Sequence, residues 1–107
     1  MKMLLIAGAA AVLIAPALAR ADDFTLTIKD HTFTPSEVKV AAGKRHVITV
    51  VNDDATPEEF ESHALKIEKV VPGKSKGIVR IGPLKAGRYP FVGEYHESTA
   101  KGVIVAE

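Results

Sequence analysis

The chain has 107 residues, with 14 Lys and Arg against 13 Asp and Glu, two Met, and neither Cys nor Trp. That length supplies one domain, and a formal charge of +1 offers no basic field for nucleic acid or an anionic membrane. Without Cys there is no disulfide framework, no thiolate nucleophile and no sulfur-based metal motif.

The first segment has the grammar of an export signal. Lys2 gives a basic start, Met3 to Ala15 is an almost unbroken apolar run, and Ala17-Leu18-Ala19 or Ala19-Arg20-Ala21 offers a small-x-small cleavage site. The run falls short of the ~20 apolar residues that span a bilayer, and Pro16 interrupts it. We therefore expect a secretory signal peptide over 1–21, a domain over 22–107, periplasmic localisation and no direct membrane insertion after cleavage. Cleavage there leaves 86 residues, removes Lys2 and Arg20 and takes the formal charge to −1. It also removes Met1 and Met3, so the exported chain contains no sulfur. A core that small must be held by sheet packing alone.

After the leader, Phe24, Leu26 and Ile28 alternate with Thr25, Thr27 and Lys29, the period of a half-buried strand that Asp30 and His31 end. Thr34-Pro35 turns into a second alternation at Val38 and Val40, and Ala42-Gly43-Lys44 turns into the β-branched run Val47 to Asn52, the expected core strand. Asn52 to Pro57 is polar loop. Glu58 to Lys69 makes no continuous helical stripe, and the pattern predicts loop, then a strand holding Leu65 and Ile67. Pro72 to Ser75 turns into a strand at Gly77 to Ile81. Tyr89, Phe91 and Gly93 alternate into a loop carrying His96, and Gly102, Val103 and Val105 close the chain. Short strands with turns between them predict an all-β, antiparallel Greek-key β-sandwich of about seven or eight strands.

Two phrases resemble one family. Phe33-x-Pro35-x-x-Val38-x-Val40-x-x-Gly43, followed by Val47-x-Thr49-x-Val51-Asn52-x-Asp54, resembles the first half of a cupredoxin domain, and Gly87 to Glu107 resembles the second. The resemblance implies a metal position between the two loops. On its frame Glu58 stands where a first His ligand is expected, Gly93 at the Cys, His96 at the second His and Ala100 at the Met. Blue-copper chemistry depends on the thiolate, so the likeness does not imply a blue site. It implies either a metal-free descendant or a site rebuilt from carboxylate and imidazole, donors that suit iron, manganese or Cu(II) rather than Cu(I).

The words Pro57-Glu58-Glu59-Phe60-Glu61-Ser62 and Gly93-Glu94-Tyr95-His96-Glu97-x-Thr99-Ala100-Lys101-Gly102 are similar to the small periplasmic cupredoxin-like proteins that accompany bacterial iron permeases. That likeness implies handling of iron or copper, with an inner-membrane iron permease or a periplasmic iron-binding protein as partner, and assistance to ferrous iron oxidation or delivery. Its candidate metal ligands are Glu58 and His96 first, then Glu94, Glu97, Glu59, Glu61 and His63. Solvated loop acids are the alternative for the carboxylates, and strand alternation can aim Glu94 outward as a partner-facing charge. His31 is expected to be an ordinary turn residue, and His46 a strand edge. Two further functions compete with a metal carrier: a metal-free module that docks a permease or iron-binding protein, and a ferroxidase. No nucleophile-base pair, phosphate loop or zinc-finger spacing is present.

Overall fold

A computed structural model describes residues 23–107, so the expected signal peptide lies outside the described residues. Among the described residues nine strands follow in chain order: β1 (Asp23–Lys29), β2 (Thr32–Thr34), β3 (Glu37–Val40), β4 (His46–Asn52), β5 (Glu58–Ser62), β6 (Ile67–Val71), β7 (Ser75–Ile81), β8 (Gly87–Gly93) and β9 (Lys101–Ala106), with a 3-10 turn at Glu94–His96. They form two sheets, β2-β1-β4-β7 and β3-β9-β8-β5-β6. Among the described residues no helix is long and apolar enough to cross a membrane.

The all-β sandwich is as expected, but its sheets are mixed rather than antiparallel. β1 runs parallel to β4, and β3 parallel to β9. Alternation cannot distinguish these cases, because side chains alternate with period two in either direction. A second correction concerns Glu58 to Ser62, expected as loop and found as β5. It pairs with β6 through Glu58↔Val71 to Ser62↔Ile67, and with β8 through Phe60↔Gly93. The strand period was masked because its outward positions carry Glu and its inward positions include Glu58 and Ser62. Leu65 lies in the following turn, where Ser62 Oγ accepts its N–H at 3.2 Å.

Alternating side chains of both sheets supply one core. Leu26, Ile28, Ile48, Val50, Val79 and Ile81 come from the first sheet and Val38, Phe60, Phe91, Ile104 and Ala106 from the second, all buried. Each fully buried aliphatic or aromatic side chain contributes about 1.5–3 kcal/mol, which is how a chain without disulfides holds this fold. Phe33, Phe60 and Phe91 meet as an aromatic cluster. Phe60 and Phe91 are stacked at 5.0 Å, and Phe33 meets Phe91 edge-on at 5.1 Å. Glu58 and Gly93 are two residues along from Phe60 and Phe91 on the same inward face, so the cluster is the floor of the candidate site. His46, expected at a strand edge, is instead buried at the start of the interior strand β4, with Nε2 donating to the Ala41 carbonyl at 2.8 Å.

The β4–β5 connection is pinned by Asn52. Its amide donates to the carbonyls of Thr56 at 2.8 Å and Val71 at 3.1 Å, and its Oδ1 accepts the N–H of Asp54 at 3.0 Å. A buried amide with several partners fixes the loop that leads into Glu58.

Candidate metal centre

Three stretches meet at one end of the sandwich: the β1–β2 turn, the first residue of β5, and the loop from Gly93 to Ala100. The last of these folds tightly. Gly93 N–H donates to the Ala100 carbonyl at 2.9 Å, and Ala100 N–H donates to the His96 carbonyl at 2.8 Å.

Glu58 is the centre of the arrangement and is 3 % exposed. Its Oε1 accepts the N–H groups of Tyr95 at 2.9 Å and Glu59 at 3.1 Å, while its Oε2 lies 2.5 Å from His96 Nδ1. An ionised carboxylate only accepts, so opposite it Nδ1 carries the proton, and such a charge-assisted contact is short and strong. Carboxylate and imidazole thus bond each other directly, Nδ1 to Oε2.

Room for the Glu58 carboxyl exists because residue 93 is glycine. A Cβ there would stand 2.7 Å from Glu58 Cδ and 2.7 Å from the Ala100 Cβ. Real Cβ contacts are never so short, so no side chain fits at 93 while Glu58 holds its place. Glycine leaves a slot here that a carboxylate fills from the neighbouring strand β5.

His31 completes the group. Its ring lies on that of His96 with centroids 3.5 Å apart and planes 12° apart. Asp30 and His31 both have left-handed backbones, with φ of 52° and 57°. Asp54 holds that turn, accepting the N–H of Asp30 at 2.7 Å and of His31 at 3.0 Å. The His31 N–H is the main cause that keeps the Asp54 carboxyl below its ordinary value; burial opposes it and the Asp30 N–H adds to it. Thr99 Oγ1 donates to the His31 carbonyl at 2.5 Å. Sequence patterning assigned His31 to the turn, where it is, but gave no sign of this contact, which joins residues 65 positions apart.

The remaining predicted ligands sit elsewhere. On β5, Glu58, Phe60 and Ser62 face inward, and Glu59 and Glu61 lie on the other face of the second sheet with Glu94 and Glu97, where Glu61 is itself buried. Oxygens of Glu61, Glu94 and Glu97 lie within 4.8 Å of one another. A hydrogen bond shared with Glu94, then desolvation and neighbouring negative charge, push the Glu59 carboxyl up to about 7. Desolvation and the charge of Glu94 raise Glu61 as well, with His63 acting the other way. His63 Nε2 is 3.7 Å from Glu61 Oε1, and its side chain is 89 % exposed. The structure therefore divides the candidates into an inner pair, Glu58 and His96, and an outer group, Glu59, Glu61, Glu94, Glu97 and His63.

Comparison with known proteins places this geometry in context. The family model for the cupredoxin-like domain matches residues 2–106. The chain belongs to the cupredoxin-like domain family. A curated relative, an uncharacterized protein of Rickettsia prowazekii (strain Madrid E), is 44 % identical over 81 residues, which are 75 % of this chain and 64 % of that protein. Among solved structures, the metal-binding domain of the Cu(I)-exporting P-type ATPase CopA of Streptococcus pneumoniae D39 superposes with a TM-score of 0.71 at 15 % identity, covering 79 % of this chain and 84 % of that one. Amicyanin from Paracoccus versutus gives 0.63 at 18 % identity over 87 % and 85 % of the two chains. Auracyanin A from Chloroflexus aurantiacus gives 0.67 at 15 % identity over 79 % and 98 %. At these identities the structural likeness establishes the cupredoxin-like fold.

A copper thiolate does not fit this chain. There is no Cys, and the space a residue-93 side chain would need is filled by the Glu58 carboxyl. The oxygen and nitrogen donors of Glu58 and His96 are of the kind that ligate harder ions than Cu(I).

Proposed function

We propose that this domain is a periplasmic metal-handling accessory of iron uptake, which holds iron or Cu(II) at a non-blue site built on Glu58 and His96. The observation that carries this is the convergence of Glu58 Oε2 and His96 Nδ1, 2.5 Å apart, in the slot left by Gly93. Both atoms are metal donors once the proton between them is released, and the low exposure of Glu58 keeps competing water away. The outer acids Glu59, Glu61, Glu94 and Glu97 add a negative face beside the loop that carries His96, where they raise the local concentration of cations. The likeness of the two loop phrases to proteins that accompany iron permeases supports an inner-membrane permease or a periplasmic iron-binding protein as partner. Calorimetric titration of the exported chain with Cu(II), Fe(II), Fe(III) and Mn(II) tests the site. Binding of one of these, lost in Glu58→Ala and in His96→Ala, is the expected outcome; a folded protein that binds none would end the proposal.

One observation favours a second function, a metal-free module that docks a permease or iron-binding protein. The Glu58 carboxylate already accepts from Tyr95, Glu59 and His96, so it is satisfied as it stands. In that case Glu58→Ala and His96→Ala leave metal content unchanged and weaken association with the partner.

A further inference from the structure

We propose that His31 is a positioning residue of the Glu58–His96 pair: its imidazole lies flat against that of His96 and fixes the ring with Nδ1 aimed at Glu58. The metal part of this inference rests on the function proposed above; the positioning part does not.

The place of His31 in its turn is the first support. β1 and β2 pair through Lys29↔Thr32, so Asp30 and His31 are the two central residues of a hairpin loop in which both have positive φ. That is the type I′ arrangement, whose second central position ordinarily holds glycine because a side chain is disfavoured there. Here it holds a histidine, and the backbone is clamped to keep it. Asp54 takes both N–H groups of the turn, and Thr99, three residues beyond His96, takes hold of the His31 carbonyl. Two separate loops thus fasten the backbone that presents this ring.

The second support is what His96 would be without it. His96 ends a 3-10 turn in which no residue is buried, and among the described residues the only side-chain hydrogen bond of its ring is to Glu58. One hydrogen bond at Nδ1 fixes a direction but leaves the ring free to rock about it. A parallel ring at 3.5 Å covers one face and removes that freedom. Full overlap also identifies the role as positioning rather than ligation. An imidazole binds an ion along a lone pair in its own plane, and two planes only 12° apart and stacked face to face do not direct their lone pairs at one ion.

The test uses the full chain, expressed with its own leader and purified after export, as wild type, His31→Gly and His31→Phe. Glycine suits the turn, so His31→Gly is expected to fold at least as stably, which separates loss of the stack from loss of the fold. Phenylalanine restores a flat ring with no ligating atom. In the metal-free protein, nitrogen NMR should show one ordered His96 ring with a slowly exchanging Nδ1 proton in wild type and His31→Phe, and an exchange-broadened ring in His31→Gly. With Cu(II) as the probe, His31→Gly should bind about fivefold more weakly, the scale of one lost ring stack, while His31→Phe stays within about twofold and keeps the wild-type paramagnetic resonance spectrum. An unchanged His96 signal in His31→Gly overturns the inference. So does a His31→Phe spectrum that has lost a nitrogen coupling, because His31 would then be a ligand. If the NMR pattern holds while no ion binds the wild type, the positioning role stands and the metal function falls.

Discussion

Gly93→Ala should destabilise the domain through contact alone. The backbone at 93 has φ −92° and ψ 105°, an extended conformation that alanine adopts freely, and the loss of unfolded-state freedom would by itself favour alanine by about 0.4–1 kcal/mol. Against this, the new Cβ meets the Glu58 carboxyl carbon at 2.7 Å, Oε1 at 3.0 Å and the fully buried Ala100 Cβ at 2.7 Å. The Ala100 methyl cannot swing aside, because the Gly93–Ala100 hydrogen bond fixes the two backbones. Overpacking of this kind costs about 1–3 kcal/mol. Pushing the Glu58 carboxylate off its donors removes charge-assisted hydrogen bonds worth about 1.5–3 kcal/mol each. A net loss of about 3 kcal/mol lowers the melting temperature of a domain this size by about 12–24 °C. Thermal unfolding followed by circular dichroism, for Gly93→Ala in the wild-type and Glu58→Ala backgrounds, measures it as a double-mutant cycle. The penalty should shrink once Glu58 is truncated and should not vanish, since Ala100 remains. Equal penalties in both backgrounds, or a Gly93→Ala protein as stable as wild type, would refute the idea that the carboxyl and residue 93 share one space.

Three further outcomes follow from the same geometry. Glu59 and Glu61 have folded values above their ordinary 4.5, so they bind protons more tightly in the folded state; the stability this gives is complete below about 4.5 and is lost as pH rises, for Glu59 through about 7. Urea unfolding between pH 4.5 and 8 should show that decline in the wild type and a flatter profile in Glu59→Gln. Asp54→Ala removes the acceptor for two turn N–H groups and should cost about 1–3 kcal/mol in the same assay; because Asp54 is held below its ordinary value, its contribution is present above pH 3.8 and fades as pH falls below it. Cu(II) added to the exported chain should give only weak visible absorption, whereas an intense blue band would contradict the sulfur-free donor set.

Much of the fold was legible because alternation survives in β1, β3, β4, β7, β8 and β9, where Val, Ile, Phe and Tyr mark the inward face. β5 was not, since acids occupy both of its faces. Yet its parity was available: Phe60 in a β-sandwich points inward, which sends Glu58 inward with it and Glu59 and Glu61 outward. That step separates the inner pair from the outer acids on sequence grounds. The His31–His96 stack had no such signal, because a contact between a hairpin turn and a loop from the other sheet exists only once the sandwich closes.

Glu58, Gly93 and Ala100 make most sense as a single change of volume. The Glu58 carboxyl ends beneath residue 93. A larger group at 93 would occupy the position the carboxyl now takes, so glycine there is the condition for the acid beneath it. Glu58, Gly93 and Ala100 are thus coupled by packing before any metal is considered, and a larger side chain at 93 meets both of the others. The slot at Gly93 is therefore not a gap. The carboxylate stands in it, hydrogen-bonded to the one imidazole that keeps its place, and His31 rests on the far face of that ring.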